Sequence, residues 1–169
     1  MVHEKAYDRV VGLMTEEMVH SGGEHNRDEL FIAPTVLDEV NKDSRVMQEE
    51  IFGPILPVMT FSELKEAIDY INSGEKPLAL YYFGKKNAAE KVITETSSGG
   101  VCINDTLMHI SNHNLPFGGV GASGMGSYHG KESFLAFSHK RSVVSTPSWI
   151  DIPFKYAPFK YFKMIRKVI

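Results

Sequence analysis

A regular alternation of short apolar runs and helix-like segments between residues 55 and 104 constrains the fold more than any other feature of the sequence. The apolar runs at 55–61, 78–83 and 100–104 are separated by two amphipathic segments, SELKEAIDYINSG (62–74) and NAAEKVITETSSG (87–99). Strands that alternate with helices in this way are typical of parallel pairing with right-handed crossover helices. The pattern therefore predicts an α/β fold with a partial doubly wound parallel sheet.

The segments outside this alternation add a helix and further strands. Residues 3–16 carry apolar side chains at helical spacing and stop before a Ser-Gly-Gly sequence, which predicts an amphipathic helix. The run LFIAPTVL (30–37) predicts a strand interrupted at Pro34, because proline cannot donate to a strand ladder. A short helix at 131–138 and a strand at 141–146 are predicted near the carboxyl end.

A long glycine-rich loop at residues 105–130 separates the alternation from that short helix. A segment of this length costs too much conformational entropy to serve only as a connection in a compact domain, so it is expected to line a site. Its centre reads PFGGVGASGMG, and the part GVGASG (119–124) matches G-x-G-x-x-G. No strand precedes this part and more glycine follows it, so phosphate binding is disfavoured.

The sequence EEIFGP at residues 49–54 combines carboxylates with an aromatic ring directly before the first apolar run. A carboxylate can accept two hydrogen bonds from a ribose diol, and an aromatic or apolar face can pack on a nicotinamide ring. Glu50 and Phe52 are two residues apart and can offer both to one ligand. The alternative is a solvated acidic pair followed by a core phenylalanine.

Together with PFGGVGASGMG, this motif resembles the C-terminal part of an aldehyde dehydrogenase. The resemblance covers nearly the whole chain and is closest to the class 3 group, which accepts aromatic and medium- to long-chain aldehydes. The stretches shared with that group are KPLALYYF (76–83), TSSGGVCIND (96–105), SGMGSYHGKESF (123–134) and FSHKRS (137–142).

The resemblance implies a domain organisation. Residues 1–140 correspond to the C-terminal part of the catalytic domain, with its doubly wound α/β layer. Residues 141–146 correspond to an oligomerisation strand that joins a sheet shared with a partner subunit, so a homodimer is expected. Residues 147–169 correspond to a basic amphipathic C-terminal tail.

The resemblance also implies which residues form the site. Glu50 and Phe52 are expected to hold NAD or NADP, and Phe117 is expected to line the channel of the aldehyde substrate. Three further residues border the same channel in class 3 enzymes: Ile110, Ser111 and His129.

The reaction implied by the resemblance is NAD(P)-dependent oxidation of an aldehyde to a carboxylic acid. A cysteine thiolate attacks the aldehyde, hydride passes to the cofactor, and a glutamate-activated water releases the acid. The family's nucleophile in G-Q-x-C, its base in E-L-G-G and its phosphate-binding turn G-x-T-x-x-G do not occur in the sequence. We therefore expect the chain to match the last third of a longer enzyme, to contain no catalytic residue and to be inactive alone.

Cys102 is the only cysteine, and its neighbours Val101 and Ile103 predict a buried strand position. A reactive thiol needs a nearby base or positive field, so an unreactive structural side chain is favoured. The resemblance agrees, because the family's nucleophile belongs to a different segment. The nearby Asn104 is interpreted as a residue that fixes a loop.

His109 and His113 are four residues apart, a spacing that on a helix would place two imidazoles on one face. The serine and asparagines around them disfavour a helix, and no further ligands complete a metal shell, so no metal site is predicted. For His129, a glycine-flanked histidine on the surface is the alternative to a channel residue.

The tail is basic, whereas the rest of the chain is acidic, and the net charge is −3. The segment FKYAPFKYFKMIRKVI (154–169) places Phe159, Phe162, Ile165 and Ile169 on one side of a predicted helix and lysines on the other. Such a helix can lie on an anionic membrane, gate the substrate entrance or pack against a subunit.

A single cysteine excludes an intrachain disulfide framework. The chain also shows no signal peptide and no apolar run of the ~20 residues that span a bilayer. We therefore expect a cytoplasmic protein, with membrane contact limited to the periphery through the tail, and no nucleic-acid partner. Two other classes of function stay open, a non-enzymatic oligomerisation module and a peripheral membrane-binding protein.

Overall fold

A computed structural model describes residues 1–14, 18–151, 156–159 and 166–167 of the chain. Its helices are α1 (Glu4–Val11), α2 (Leu64–Ser73), α3 (Lys86–Glu95), α4 (Met108–Ser111) and α5 (Gly130–Ala136), with a 3₁₀ turn at Arg45–Met47. Its strands are β1 (Val19–Ser21), β2 (His25–Asn26), β3 (Phe31–Ile32), β4 (Thr35–Leu37), β5 (Ile55–Pro57), β6 (Ala79–Tyr82) and β7 (Gly100–Ile103). From β5 to β7 the order is β-α-β-α-β, as the sequence predicts.

The first helix is shorter than the predicted segment 3–16. The Nδ1 atom of His3 accepts a backbone hydrogen bond at 3.0 Å and caps the helix start. At Leu13 and Met14 the backbone N–H groups bond to carbonyls three residues earlier, which tightens the chain and ends the α-helix. Residues 15–17 lie outside the described part of the chain.

The first packed unit places α1 against a three-stranded sheet. Strand β4 lies in the middle of this sheet, antiparallel to β1 and parallel to β5, with Thr35 opposite Ile55. The core between helix and sheet is apolar and includes the fully buried side chains of Val10 and Leu37. This packing holds the carboxyl end of the EEIFGP segment in place, because the next residue, Ile55, is the first residue of β5 and belongs to the core.

The predicted strand at 30–37 is interrupted at Pro34, as expected. Its first part, β3, pairs antiparallel with β2, with His25 opposite Ile32. Its second part, β4, belongs to the three-stranded sheet. The chain therefore changes strand partners at the proline.

The second packed unit consists of β6, α3 and β7, with α2 packed against them. Strands β6 and β7 are parallel, with Leu80 opposite Val101, and α3 forms the crossover between them. The core of this unit is formed by Ile68, Leu80 and Val92. The arrangement confirms the mixed α/β character that the alternation predicts.

The prediction of a partial doubly wound parallel sheet is not confirmed. In the described residues β5 pairs with β4, β6 pairs with β7, and no ladder joins β5 to β6. Strand β5 stops at Pro57, although the apolar run continues to residue 61. A three-residue strand that ends in proline offers few donors to a second neighbour, and β4 already uses one of its edges.

The loop at 105–130 contains one turn of helix, α4, where the sequence disfavours one. Leu107 precedes the turn in a left-handed conformation with a φ of 62°, and Asn112 ends the turn. The low helix propensity is overridden by a tertiary contact, because the backbone N–H of His109 donates to the sulfur of Cys102 on β7. The next element, α5, confirms the short helix predicted at 131–138.

The predicted strand at 141–146 has no regular secondary structure. Val143 and Val144 are 77% and 89% exposed. A strand needs ladder bonds to a neighbour, and in the described residues none is supplied to this segment. Its assignment as an oligomerisation strand stays a prediction.

The C-terminal tail lies largely outside the described residues. These exclude 152–155, 160–165 and 168–169, so the predicted helix with Phe162 and Ile165 on its apolar side falls there. In the part of the chain that the structure covers, none of the helices has both the length and the apolar character needed to span a bilayer. The tail's roles and the location of the protein stay predictions.

Candidate functional site

The EEIFGP loop connects the 3₁₀ turn to β5 and presents Glu50 and Phe52 on the surface. Phe52 has a φ of 47°, in the left-handed region that a bulky residue seldom adopts. It is 79% exposed, and Glu50 is also exposed. Phe52 is therefore not a core phenylalanine of this chain, and the loop offers a carboxylate and an aromatic ring to solvent.

Arg9 on α1 holds the first half of this loop. Its Nη1 atom donates to Oε2 of Glu49 and to the carbonyl of Glu50, both at 3.2 Å. Its Nη2 atom donates to the carbonyl of Ile51 at 2.6 Å. One guanidinium thus contacts three consecutive residues of the loop.

The second half of the loop rests on the neighbouring residue of α1. A Cβ atom at Gly53 would lie 2.8 Å from Cγ1 of Val10, whose side chain is fully buried. On the other side, the carbonyl of Pro54 accepts a hydrogen bond from the backbone N–H of Thr35 at 2.8 Å. The loop is therefore fixed between α1 and β4, while its carboxylate and ring remain exposed.

A second arginine, Arg27, also contacts α1, and it bonds to side chains of the helix. It donates to Glu4 at 2.7 Å and to both carboxylate oxygens of Asp8 at 2.9 and 3.0 Å. The Arg27 guanidinium lowers the pKa of the Asp8 carboxyl, and the two carboxylates raise the pKa of Arg27. These three groups are exposed and stabilise the helix surface rather than the EEIFGP loop.

A cluster of aromatic rings forms at the glycine-rich loop. The rings of Phe117 and His129 stack with centroids 5.6 Å apart and planes inclined by 21°. Tyr128 meets both edge-on, at 5.6 Å from Phe117 and 4.5 Å from His129, and His113 lies 5.0 Å from His129. The structure therefore brings together two of the predicted channel residues, Phe117 and His129.

An open cleft of about 420 Å³ lies beside this cluster, lined by Leu78, Phe117, Tyr128 and the glycine-rich turn. A Cβ atom at Gly118 would come within 2.1 Å of the Gly126 carbonyl oxygen, so the loop can fold on itself only with glycine there. A backbone bridge between residues 121 and 124 closes the turn, and no helix begins at its end. The G-x-G-x-x-G match is therefore a folded turn and not a dinucleotide fingerprint.

His129 is half-buried and has a φ of 85°. Its Nδ1 atom is buried and has no hydrogen-bond partner in the described residues. A buried polar atom without a partner costs free energy. Whether His129 borders a substrate channel or is a glycine-flanked surface histidine stays a prediction.

Ile110 and Ser111 lie on α4, which meets the aromatic cluster through the preceding residue, His109. The ring of His109 lies 6.1 Å from that of Phe117. Ile110 is half-buried, and the exposed Ser111 donates its hydroxyl to the Met108 carbonyl at 3.1 Å. Ile110 and Ser111 therefore lie on the helical turn next to the cluster, whereas direct ring contact is seen only between Phe117 and His129.

Comparison with known protein families shows which family the chain belongs to. The family model described as "Aldehyde dehydrogenase family" matches residues 1–143. This chain belongs to the aldehyde dehydrogenase family.

Individual aldehyde dehydrogenases resemble the chain along most of its length. The 4,4'-diaponeurosporen-aldehyde dehydrogenase of Staphylococcus aureus (strain NCTC 8325 / PS 47) is 49% identical over 174 residues, which cover 99% of this chain and 38% of the relative. The dimeric, NADP-preferring aldehyde dehydrogenase of Bos taurus is 51% identical over 148 residues, or 87% of this chain and 62% of the relative. Aldehyde dehydrogenase family 3 member B1 of Rattus norvegicus is 49% identical over 162 residues, or 94% and 35%.

A solved structure agrees with these relatives. The substrate-bound state of Staphylococcus aureus AldH is 47% identical, with a TM-score of 0.81, and is matched over 98% of this chain and 38% of that chain. The similarity to family 3 members confirms the class 3 resemblance. The chain spans 38%, 62% and 35% of the lengths of the three relatives.

The only thiol of this aldehyde dehydrogenase chain is buried in β7, as predicted, but its partner was not predicted. The Sγ atom of Cys102 lies 3.2 Å from Nδ1 of His109 and accepts the backbone N–H of the same residue at 3.4 Å. Both residues are 7% exposed. The pair fixes α4 to the carboxyl end of β7. Seven residues separate the two, and the contact depends on the turn at Leu107, so the sequence carries little signal for it.

His109 and His113 have different partners, Cys102 and His129 respectively. Among the described residues, no group of three or more His, Cys, Asp or Glu side chains is placed to hold a metal ion.

Asn104 links the loops that follow β6 and β7. Its φ is 56°, its Oδ1 accepts the backbone N–H of Gly84 at 2.7 Å, and its Nδ2 donates to the carbonyl of the same glycine at 3.2 Å. These two bonds confirm that Asn104 fixes a loop.

The predicted site residues of this aldehyde dehydrogenase chain fall into two groups. Glu50 and Phe52 form one group, anchored to α1, and the channel residues around Phe117 form the other. Sequence reasoning missed two supporting residues, Arg9 and His109. The sequence carries no signal for the role of Arg9, because its partners lie about 40 residues away along the chain.

Proposed function

We propose that this chain belongs to an NAD(P)-dependent aldehyde dehydrogenase of the class 3 type, which oxidises aldehydes to carboxylic acids. The observation that supports this proposal best is the EEIFGP loop, which presents an exposed carboxylate and an exposed aromatic ring from a fixed backbone. In this proposal the chain supplies the cofactor clamp and part of the substrate channel.

The cofactor clamp consists of Glu50 and Phe52. The Glu50 carboxylate accepts two hydrogen bonds from the hydroxyls of the nicotinamide ribose, and the Phe52 ring packs on an apolar face of the cofactor. Both side chains are exposed, so they fit a ligand that approaches from solvent. Relatives of the chain use NAD or NADP, which accepts hydride from the substrate when bound.

The substrate channel is formed by Phe117, with Ile110, Ser111 and His129 along its border. The open cleft beside Phe117 is lined by apolar and aromatic side chains, which fit the carbon chain or ring of an aldehyde. His129 stacks on Phe117 from outside this cleft. An apolar aldehyde is therefore the proposed substrate class.

The nucleophile and the general base are proposed to come from outside this chain. Cys102 is buried and in contact with His109, on a strand that supports α4, so its sulfur is not presented to a substrate. The family's G-Q-x-C and E-L-G-G motifs do not occur in the sequence. The 169-residue chain is therefore proposed to have no aldehyde dehydrogenase activity alone.

A homodimer is also proposed. The bovine relative is dimeric by name. The exposed valines of the 141–146 segment have no strand neighbour in the described residues, and pairing with a partner subunit would supply one.

The test compares a full-length enzyme that carries this segment with the 169-residue chain alone. Formation of NAD(P)H is followed with hexanal and benzaldehyde as substrates. We expect activity from the full-length enzyme and none from the chain. Activity of the chain that Cys102→Ala abolishes would contradict the proposal and make Cys102 the nucleophile, and an inactive full-length enzyme would refute the proposed function.

A further inference from the structure

We propose that Arg9 is a positioning residue for the cofactor loop, and that its guanidinium sets the backbone from which Glu50 and Phe52 meet NAD(P). The inference rests on the proposed function of these two residues. Arg9 itself touches neither substrate nor cofactor in this account. It acts through the loop.

The hydrogen bonds of Arg9 are directed mainly at the loop backbone. Two of its three acceptors are the carbonyls of Glu50 and Ile51, and the third is the Glu49 carboxylate. A bond to a carbonyl fixes the orientation of a peptide plane, which in turn aims the side chains on either side of it. The peptide planes on both sides of Ile51 lie directly before Phe52, so Arg9 controls the approach to the strained residue.

The left-handed conformation of Phe52 requires support from its surroundings. A bulky residue in this region is strained, and such a conformation persists only where neighbouring contacts over-determine it. Arg9 supplies contacts on the amino side of Phe52, and Val10 supplies a close contact with Gly53 on the carboxyl side. Two consecutive residues of α1 therefore hold the loop on both sides of the ring.

The geometry requires arginine rather than any cation. The planar guanidinium offers several N–H donors in a fixed fork and so reaches two carbonyls and a carboxylate together. A lysine ammonium is a compact charge at the end of a flexible stem, and it cannot span the same three acceptors in one orientation. Arg9→Lys should therefore retain part of the loop positioning, whereas Arg9→Gln should lose most of it.

Arg27 provides a matched control. It too makes three charge-assisted hydrogen bonds to the α1 region, but all of them go to the side chains of Glu4 and Asp8. Its loss should change the helix surface without changing the loop. A general weakening of α1 would therefore affect both arginine variants, and a loss of loop positioning would affect only the Arg9 variants.

The experiment measures steady-state kinetics of the full-length enzyme carrying Arg9→Gln, Arg9→Lys or Arg27→Gln. We expect Arg9→Gln to raise KM for NAD(P)+ by about fivefold to tenfold, from the loss of charge-assisted bonds. KM for the aldehyde should stay within about twofold of the wild-type value. KM for NAD(P)+ should be intermediate in Arg9→Lys and should equal the wild-type value in Arg27→Gln. An unchanged KM for NAD(P)+ in Arg9→Gln, or equal effects of Arg9→Gln and Arg27→Gln, would overturn the proposal.

A second measurement does not depend on activity. Hydrogen exchange of the segment 49–54 should be faster in Arg9→Gln than in the wild type and unchanged in Arg27→Gln. Equal exchange rates in all three proteins would show that Arg9 does not hold the loop, even if the kinetics changed. An inactive wild-type enzyme would refute the proposed function, and the exchange measurement would still decide whether Arg9 holds the loop.

Discussion

The EEIFGP loop and the segment at 141–146 are both surface segments, but they are supported differently. The loop has an arginine, a buried valine and a backbone bond from β4 holding it in place, all from this chain. The 141–146 segment has exposed valines and no strand neighbour in the described residues. The difference indicates that the backbone of the proposed cofactor clamp is held by contacts within the chain, whereas the carboxyl segment has no comparable support in the described residues.

The largest effect that would separate the two regions comes from the core behind the loop. Leu37→Ala should lower the free energy of unfolding by about 2–5 kcal/mol, because it removes a fully buried side chain packed with Val10. Val144→Ala should change it by less than about 0.5 kcal/mol, since this valine is 89% exposed. Urea denaturation of both variants would check the contrast. Similar losses in both would show that the carboxyl segment is packed after all.

A smaller effect is expected where the loop meets α1. Gly53→Ala should lower the free energy of unfolding by about 1–3 kcal/mol, because the new Cβ would lie 2.8 Å from the buried Val10 side chain. Gly74→Ala is the control, since a Cβ there would meet only the Ile71 carbonyl at 3.9 Å. Thermal unfolding of the two variants gives the comparison. If Gly53→Ala were as stable as Gly74→Ala, the loop would not rest on α1.

The carboxyl segment can be tested through subunit association. Val144→Asp in the full-length enzyme should raise the dimer dissociation constant by about tenfold or more, because a charge would be placed in a pairing strand. Val2→Asp is the control, since Val2 is 88% exposed at the other end of the chain. Analytical ultracentrifugation would measure both. A dimer that is unaffected by Val144→Asp would place the subunit interface elsewhere.

The smallest effect concerns the surface of α1. Arg27 lowers the pKa of Asp8 in the folded chain, so their interaction stabilises the fold above the ordinary carboxyl pKa of about 3.9 and is lost as pH falls through the lower folded value. The melting temperature of Asp8→Asn should lie slightly below that of the wild type at pH 7, and the difference should shrink below pH ~4. A melting-temperature difference that grows as the pH is lowered would show that the ionised Asp8 carboxylate does not stabilise the fold.

Sequence periodicity predicted the parts of the fold that depend on local pattern. The β6-α3-β7 unit was predicted because its strands and crossover helix are contiguous in the chain. The division of the sheet was not predicted, because the pairing of β5 with β4 and the early end at Pro57 are set by contacts between distant segments. The same reason explains α4, whose helical turn depends on the contact between His109 and Cys102.

The candidate site shows the same limit. The motifs predicted Glu50, Phe52 and Phe117 as candidate site residues, because these residue types occur in recognisable sequences. They gave no indication of Arg9, whose side chain bonds to residues 40 to 42 positions later in the chain. Supporting residues of this kind become visible only when the fold brings α1 and the loop together.

Glu50 is proposed to hold the cofactor from a loop that contacts within the chain fix in place. The most direct measurement is the steady-state kinetics of the full-length enzyme with varied NAD(P)+, comparing the wild type with Glu50→Gln and with Glu63→Gln as an exposed control at the start of α2. We predict that Glu50→Gln lowers kcat/KM for NAD(P)+ by about tenfold, because the amide accepts a hydrogen bond without charge assistance, while Glu63→Gln has no effect. Unchanged kinetics for Glu50→Gln would show that Glu50 is only a solvated surface charge.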